Sequence, residues 1–142
     1  MTGVDIRTLV ASDIDDVIAL WDVTGLTRPW NDPRADIARA RGVWPELLLV
    51  AVAGETVVGS VLAGYDGHRG WLYYLATDPS RRREGIAAAL VAEAEQRLIA
   101  LGCPKVQLMV RAGNAEVLRF YDARGYDRSD VLVTGKRIIS DE

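Results

Sequence analysis

The sequence contains very little of the residues that build metal centres and disulfide frameworks. Its 142 residues include one cysteine, Cys103, and one histidine, His68. A disulfide within the chain needs two cysteines, and zinc motifs need several cysteine or histidine ligands, so both are excluded. We therefore expect no metal at the functional site. We interpret Cys103 as a small buried side chain before a strand rather than as a nucleophile.

Long apolar runs and a strong charge of either sign are also missing. The longest apolar runs, Leu47–Ala53 and Ile86–Ala92, have seven residues each, whereas a membrane-spanning helix needs about 20. The net charge is −3, and this mild acidity argues against nucleic acid as the main partner. The first five residues show no basic or apolar leader. We therefore expect a cytoplasmic protein with no membrane and no nucleic-acid partner.

What the sequence does contain is typical of one globular domain. Apolar residues make up 49% and charged residues 26%, which is an ordinary composition for such a domain. No linker, repeat or low-complexity stretch divides the chain. We therefore predict a single domain over residues 1–142.

Hydrophobic periodicity predicts strands and helices in the order β-α-α-β-β-β-α-β-α-β. The predicted strands are Val4–Leu9, Leu47–Val52, Thr56–Tyr65, Trp71–Thr77, Lys105–Val110 and Asp130–Ile138. The predicted helices start near Ser12 and at the N-cap Asp32, and then cover Gly85–Leu101 and Ala115–Arg124. This order indicates a mixed α/β or α+β fold with helices packed on a sheet.

The junction between the fourth strand and the long helix carries the clearest chemical signal. Three arginines, Arg81–Arg83, are followed by Gly85 at the start of the helix and by the small residues Ala87–Ala88. The first helical turn has unpaired N–H groups and partial positive charge, which suits a pyrophosphate. The alternative is a solvated arginine loop with Gly85 as a turn residue, and local chemistry does not separate the two.

Two motifs resemble the signatures of a known family. Arg82-x-x-Gly85-x-Ala87 resembles the Q/R-x-x-G-x-G/A acetyl-CoA signature of the Gcn5-related N-acetyltransferases (GNAT). Asn114-x-x-Val117-x-x-x-Tyr121-x-x-x-Gly125-Tyr126 is similar to the family's second signature, N-x-x-A-x-x-x-Y-x-x-x-G-F/Y. The motifs lie in the family's order, with a predicted strand between them. The resemblance implies a mixed, mostly antiparallel central sheet of about six to seven strands with about four flanking helices.

Three further segments resemble one branch of that family. Arg28–Pro33, Tyr65–Gly70 and Gly102–Lys105 look like the bacterial YpeA-type branch, which is close to the RimI-like protein acetyltransferases. The resemblance implies an enzyme that moves acetyl from acetyl-CoA to a primary amine of a small molecule or protein. A homodimer through exposed edge strands stays open.

The resemblance assigns a set of residues to acetyl-CoA. The pantetheine arm is assigned to Leu75, Ala76 and Thr77, the pyrophosphate to Arg82, Arg83, Glu84, Gly85, Ile86, Ala87 and Ala88, and the thioester end to Asn114. Glu84 departs from the family's pattern, because relatives often carry a basic residue or glutamine there. A carboxylate beside the phosphate site would weaken cofactor affinity unless it points to solvent.

The resemblance also implies catalytic roles. Tyr121 would donate a proton to the departing thiolate, as a general acid, and a strand-end N–H would stabilise the carbonyl oxygen. The structural alternative for Tyr121 is a core aromatic, since Val117 lies on the same helix face. The functional alternative is a non-catalytic acyl-CoA-binding regulatory module.

The general base is the weakest part of the resemblance. Met109 stands where RimI-like members carry a strand glutamate. His68 is the chemically best replacement because its unperturbed pKa is about 6.5, with Tyr74, Asp66 and Asp32 as further candidates. An exposed loop histidine is the plainer interpretation of His68, and an amine that arrives neutral needs no base.

The segment between the first two helices is expected to form one wall of the acceptor site. Trp30, Asn31 and Asp32 place an aromatic ring beside an amide and a carboxylate, which suits a cationic amine. We add Tyr74 to this substrate-binding set. The alternative is that Trp30 packs in the core and Asp32 only caps a helix.

Overall fold

A computed structural model describes residues 3–140 of the chain. Its strands are β1 (Val4–Thr8), β2 (Leu48–Ala53), β3 (Thr56–Tyr65), β4 (Gly70–Thr77) and β5 (Val106–Gln107). Its α-helices are α1 (Ile14–Val23), α2 (Pro33–Arg41), α3 (Ile86–Ala100) and α4 (Ala115–Asp122). Three short 3₁₀ helices cover Ala11–Asp13, Pro45–Leu47 and Pro79–Arg81.

The five strands form one mixed sheet in the order β1-β2-β3-β4-β5. The first three pairings are antiparallel, and β4 pairs with β5 in parallel. Gly54 has a φ of 63° in the turn between β2 and β3, a conformation that glycine adopts without strain and that tight hairpins need. The predicted mixed, mostly antiparallel sheet with four helices is confirmed.

The sheet is covered on both faces, which explains the unbroken apolar run of β2. Leu48, Val50 and Val52 pack in one cluster with Trp21 of α1 and Ile37 of α2. Leu49 and Ala51 alternate with them and are also buried, so they face the opposite side of the sheet. On β3, a side chain at Gly59 would meet Ile86 of α3 at 2.8 Å. The helix α3 therefore lies directly against the sheet.

The chain divides into two compact parts. The first ends at Gln107 and contains the sheet with α1, α2 and α3; the second, Leu108–Ser140, contains α4. None of the helices between residues 3 and 140 is long and apolar enough to cross a membrane.

Two predicted strands are wrong in whole or in part. The structure keeps Val106–Gln107 of the predicted strand Lys105–Val110, and Asp130–Ile138 contains no strand. Five apolar side chains near this end are exposed: Val131, Leu132, Val133, Ile138 and Ile139. A β-rich sequence becomes a strand only when another strand accepts its backbone hydrogen bonds. The described residues therefore contain five strands rather than six to seven.

Candidate active site

The second half of β4 has one paired edge and one open edge. On one side, Ala76 and Thr77 pair with Ser60 and Gly59 of β3. On the other side, β5 reaches only Gly70 and Trp71, so no strand between residues 3 and 140 pairs with the rest of that edge. An extended ligand can take such a place through backbone hydrogen bonds. The position of Leu75, Ala76 and Thr77 fits the predicted pantetheine site.

A bulge interrupts β4 just before these residues. The register with β3 passes from Leu62–Tyr73 to Ser60–Ala76, so that Tyr74 and Leu75 both lie opposite Val61. Tyr74 has a φ of 54°, in the left-handed region that residues with side chains rarely adopt. The strand therefore changes direction at the start of the candidate site.

The turn from β4 into α3 is organised by its own backbone. Asp78 Oδ1 accepts hydrogen bonds from Ser80 N and Ser80 Oγ, both at 2.9 Å, and these bonds, led by the backbone N–H, lower the pKa of Asp78. Arg83 and Gly85 follow with φ values of 67° and 81°. Two left-handed residues within three positions turn the chain sharply into the helix.

The first turn of α3 offers backbone donors. The first helical bond runs from Ala89 N to Gly85 O at 3.0 Å, so the N–H groups of Ile86, Ala87 and Ala88 lie before it. No side chain caps this helix start. Gly85 adds no Cβ, and Ala87 and Ala88 add one carbon each, so that an anion can approach these amides closely. The turn fits a pyrophosphate.

The charges around the turn are favourable despite the carboxylate of Glu84. Arg81 Nη1 lies 3.2 Å from Glu84 Oε1 in an ion pair, which directs that carboxylate to a neighbour within the turn. Arg82 and Arg83 are exposed and form no ion pair with any residue that the structure describes. These two guanidinium groups therefore retain donors for a phosphate.

The two residues of the second motif lie on α4, in the second part of the chain. Asn114 is exposed and its Oδ1 accepts a hydrogen bond from Val117 N at 3.3 Å, which makes it the N-cap of α4. Tyr121 is 7% exposed and lies edge-on to Phe120 and Tyr126, at 5.0 and 5.3 Å between ring centres. The side chain therefore sits in an aromatic cluster.

The Tyr121 phenol is protonated and has a free hydroxyl. Burial raises the pKa of Tyr121 to about 12, and nearby Arg124 offsets a small part of that rise. Its hydroxyl makes no hydrogen bond to any residue from 3 to 140. A phenol in this state carries a proton at neutral pH that is not committed to another group.

His68 lies in the exposed turn between β3 and β4. Its backbone N–H and that of Arg69 donate to Asp66 Oδ1, and Trp71 Nε1 donates to Asp66 Oδ2. These bonds lower the pKa of Asp66, and the bond from the Arg69 N–H has the largest effect. From Gly70 to Leu75 the strand advances roughly 17 Å at about 3.3 Å per residue. His68 and Asp66 are therefore at the opposite end of β4 from Leu75.

The predicted acceptor residues lie between α1 and α2. Asp32 Oδ1 accepts hydrogen bonds from Arg34 N and Ala35 N at 3.0 and 3.3 Å, so Asp32 is the N-cap of α2. Asn31 is half-buried beside it. Trp30 is 51% exposed and does not pack in the core. Asp32 therefore caps α2, while its predicted contact with the acceptor stays a prediction, and the core interpretation of Trp30 is wrong.

Comparison with known proteins identifies the fold. A model of the acetyltransferase (GNAT) family matches residues 16–126. The chain belongs to this family. It is 51% identical over 140 residues to an acetyltransferase of Sodalis glossinidius (strain morsitans), which covers 97% of this chain and 98% of the relative.

Solved GNAT structures show the same architecture. Ard1 from Thermoplasma volcanium matches 90% of this chain and 85% of its own, with a TM-score of 0.81 and 27% identity. The NatC complex bound to Gag peptide and CoA contains a chain with a TM-score of 0.80 and 22% identity, covering 91% of this chain and 87% of that one. The protein is an N-acetyltransferase with a GNAT fold, a fold that binds acetyl-CoA.

The structure changes the interpretation of Met109. The resemblance aligns this residue with a strand glutamate, but β5 ends at Gln107 and Met109 is 50% exposed outside it. Met109 carries no group that titrates, so this position supplies no base.

A shallow cleft elsewhere on the first part does not coincide with the predicted site. It has a volume of about 600 Å³ and lies between α1, the β2–β3 turn and Asp78–Ser80. None of the predicted site residues lines it. No group of three His, Cys, Asp or Glu side chains within the described chain is arranged to hold a metal ion.

Three residues around Tyr74 were missed by sequence reasoning. The Tyr74 hydroxyl donates to Asp36 Oδ2 at 2.7 Å, and Ser60 Oγ links the indole of Trp21 to the Tyr74 carbonyl. Ser60 is the only hydroxyl residue in the apolar stretch from Val57 to Ala63. That pattern is a signal, because a polar group buried among apolar ones needs hydrogen-bond partners.

Proposed function

We propose that this GNAT protein transfers acetyl from acetyl-CoA to a primary amine of a small molecule or protein, with Tyr121 as the general acid. The observation that carries the proposal is the state of Tyr121. The side chain is buried, its pKa is raised to about 12, and its hydroxyl is free of other partners within residues 3–140. Such a phenol keeps its proton at neutral pH. The uncommitted hydroxyl is what supports the role of general acid, because a raised pKa by itself makes the phenol a weaker acid.

The first part of the chain supplies the proposed cofactor contacts. The backbone N–H groups of Glu84, Gly85, Ile86, Ala87 and Ala88 would hold the pyrophosphate. The side chains of Arg82 and Arg83 would add charged donors. The open edge at Leu75, Ala76 and Thr77 would pair with the pantetheine arm. From the second part, the family motif assigns Asn114 to the thioester end.

The chemistry divides among these residues. Acetyl-CoA, when bound, supplies the acetyl group as a thioester. A backbone N–H at the β4 bulge would donate to the carbonyl oxygen as charge develops there. The neutral amine would form a C–N bond to the thioester carbon as the C–S bond breaks, and Tyr121 would pass its proton to the departing sulfur. The proton that the amine nitrogen loses would go to solvent water, from which Tyr121 would be reprotonated. Burial of the departing thiolate would raise the pKa of the CoA thiol and so reduce its difference from the pKa of Tyr121.

The acceptor amine is best served by the wall between α1 and α2. Half-exposed Trp30 offers an aromatic face to the acceptor, and Asn31, Asp32 and Tyr74 complete the proposed acceptor set. One oxygen of Asp32 is committed to the helix cap. The role of His68 as general base stays a prediction, because the histidine lies at the far end of β4. We favour an amine that arrives neutral.

We also propose that the chain belongs to the YpeA-type branch, which is close to the RimI-like acetyltransferases. Two segments support this assignment: Arg28–Pro33, which contains Trp30, and Tyr65–Gly70, which contains His68. We also propose that the two parts act as one acetyltransferase domain, since the family match spans both, and that the enzyme works in the cytoplasm. A homodimer stays open.

One observation favours a second candidate function. By the resemblance, Met109 stands where RimI-like members carry the glutamate that serves as base. A chain that binds acyl-CoA without turnover would be a regulatory module, and it would keep the cofactor turn intact.

Turnover separates the two functions. The purified chain is incubated with acetyl-CoA and a panel of an alkylamine, a polyamine, an amino acid amide and a short peptide amine, and free thiol and acetylated product are both measured. We expect thiol release to depend on at least one amine and to match its acetylated product. Binding of acetyl-CoA with no amine-dependent release across the panel would contradict the enzyme and support the regulatory module.

A further inference from the structure

The strained residue of β4, Tyr74, is held by contacts from three other elements. Its φ of 54° lies in the left-handed region, and a residue with a side chain persists there only where its surroundings determine its position. Strain of this kind is concentrated at functional sites. The contacts that hold Tyr74 therefore indicate what its conformation is for.

The ring and the hydroxyl of Tyr74 are each fixed by a helix. The ring stacks on Trp21 of α1, with ring centres 3.7 Å apart and an angle of 10° between planes. The hydroxyl donates to Asp36 Oδ2 of α2 at 2.7 Å. The other carboxylate oxygen of Asp36 accepts from Arg39 Nη2 at 2.8 Å, so Asp36 is itself held in place.

The backbone carbonyl of Tyr74 is fixed by a buried serine on β3. Ser60 Oγ accepts a hydrogen bond from Trp21 Nε1 at 2.8 Å and donates to Tyr74 O at 2.8 Å. Ser60 and Trp21 are 2% and 0% exposed. Because the indole N–H can only donate, the serine hydroxyl must act as its acceptor, and the serine proton is then directed at the Tyr74 carbonyl.

The orientation of that carbonyl determines the orientation of the next amide. The Tyr74 C=O and the Leu75 N–H belong to one planar peptide unit, and no cis peptide occurs in the described chain. In a trans unit the two groups point in opposite directions. With the carbonyl held toward Ser60 of β3, the Leu75 N–H points away from β3, toward the edge of β4 that β5 leaves open beyond Trp71.

We infer that Ser60, Trp21 and Asp36 are positioning residues that fix the Tyr74–Leu75 peptide. The Leu75 N–H is then the backbone donor to the acetyl carbonyl oxygen that the proposed function requires. The inference rests on the proposed function. It assigns Tyr74 to the positioning of this donor, and it gives the left-handed conformation a purpose. Preorganised donors of this kind require no reorientation when charge develops on the oxygen.

The test compares three ligands that share parts of one molecule. Dissociation constants of ADP, CoA and acetyl-CoA are measured by calorimetry for the wild type, Ser60→Ala, Tyr74→Phe and Tyr73→Phe. Only acetyl-CoA carries the acetyl oxygen, so the ratio of the CoA constant to the acetyl-CoA constant reports the Leu75 donor. Tyr73→Phe is the matched control, because it removes a phenol hydroxyl from the neighbouring residue without touching the Ser60 contacts.

We expect acetyl-CoA to bind more tightly than CoA in the wild type. Ser60→Ala should reduce the ratio about tenfold, the size of one well-placed hydrogen bond. Tyr74→Phe, which removes the bond to Asp36 and keeps the ring, should reduce it about threefold, with ADP binding unchanged. Because Ser60→Ala leaves the buried Trp21 N–H without its acceptor and can impair folding, Tyr74→Phe provides an independent readout.

Three results would overturn the inference. One is a ratio that stays at the wild-type value in folded Ser60→Ala and Tyr74→Phe. Another is equal weakening of all three ligands, which marks a purely structural contact. The third is a wild-type ratio near one. A wild type that binds none of the three ligands would instead remove the proposed function, and this inference with it.

Discussion

The two parts of the chain hold their candidate site residues in different ways. Up to Gln107, the residues around the cofactor turn are fixed by partners far away in sequence. Ser60 Oγ donates a hydrogen bond to Tyr74 O, and Asp78 N donates one to Val58 O, both at 2.8 Å. In Leu108–Ser140, the contacts of Asn114 and Tyr121 are with residues a few positions away. The first part is a scaffold, and the second is held together locally around one helix.

The accuracy with which each candidate residue is placed therefore has a different origin in each part. The proposed amide donor on β4, Leu75, is placed by the sheet register, the α1 stack and the α2 carboxylate together. The proposed proton donor on α4, Tyr121, is placed by a helix cap and an aromatic cluster. Substitutions in the first part should therefore change stability and ligand orientation, while those at Tyr121 should change chemistry with less effect on binding.

The largest effect is expected from Tyr121→Phe. Loss of the general acid should lower kcat by about 100-fold or more, while the dissociation constant of acetyl-CoA stays within about twofold of the wild type. Steady-state thiol release and calorimetry measure the two quantities. Tyr126→Phe, a neighbour in the same aromatic cluster, is the control and should keep most of its kcat. Equal kcat values for the two variants would remove Tyr121 from the mechanism.

The next largest effect is expected from Gly59→Ala in the first part, with Gly135→Ala in the second part as its control. A Cβ at Gly59 would lie 2.8 Å from Ile86 Cγ2 and 3.0 Å from Leu90 Cδ1, whereas one at Gly135 would meet nothing within 4 Å. Gly59→Ala should therefore destabilise the protein by about 1–3 kcal/mol through overpacking. Gly135→Ala should stay within about 0.5 kcal/mol. Thermal or urea unfolding measures both; similar losses would show that the two parts are equally tightly packed.

Alkaline pH should weaken the folded state through Tyr121. Its pKa is about 12 when folded and about 10 when unfolded, so the contribution is present below pH 10 and is lost as the pH rises toward 12. The loss amounts to roughly 2–3 kcal/mol at 1.36 kcal/mol per unit. Urea unfolding from pH 8 to 11.5 should fall less steeply for Tyr121→Phe than for the wild type. Parallel curves would mean that the phenol is solvated.

The smallest effect is expected from His68→Ala. The histidine lies in an exposed turn at the far end of β4 from Leu75, so kcat and its pH profile should change less than about twofold. A loss of about 100-fold in kcat would establish His68 as the general base instead.

Local patterns predicted most of the first part correctly. The tight β2–β3 turn at Gly54, the Asp32 cap of α2 and the Gly85 start of α3 depend on residues adjacent in sequence, and the structure agrees with each. The hydrogen bonds that hold Tyr74 could not be predicted, because Ser60 and Asp36 reach it only after the sheet and α2 have packed. Only the buried polar position of Ser60 gave a signal.

The prediction of a strand at Asp130–Ile138 is wrong because local sequence does not show whether a partner strand is present. Val131, Leu132 and Val133 have the composition of a strand, but composition does not supply the partner that a strand requires. Leu132 is 94% exposed. The roles of Asn114 and Tyr121 likewise came from a motif resemblance, because a tyrosine on an amphipathic helix is by itself compatible with a core position.

Thermal unfolding with increasing acetyl-CoA, beside ADP and free CoA, shows whether the chain binds the cofactor. If the Arg82–Ala88 turn and the open β4 edge bind the cofactor, acetyl-CoA at about 100 times its dissociation constant should stabilise the protein by roughly 2.7 kcal/mol. That corresponds to about 5–10 °C for a chain of this size, and it should exceed the shift with ADP. No shift at saturating acetyl-CoA would contradict the cofactor site and the acetyl transfer that depends on it.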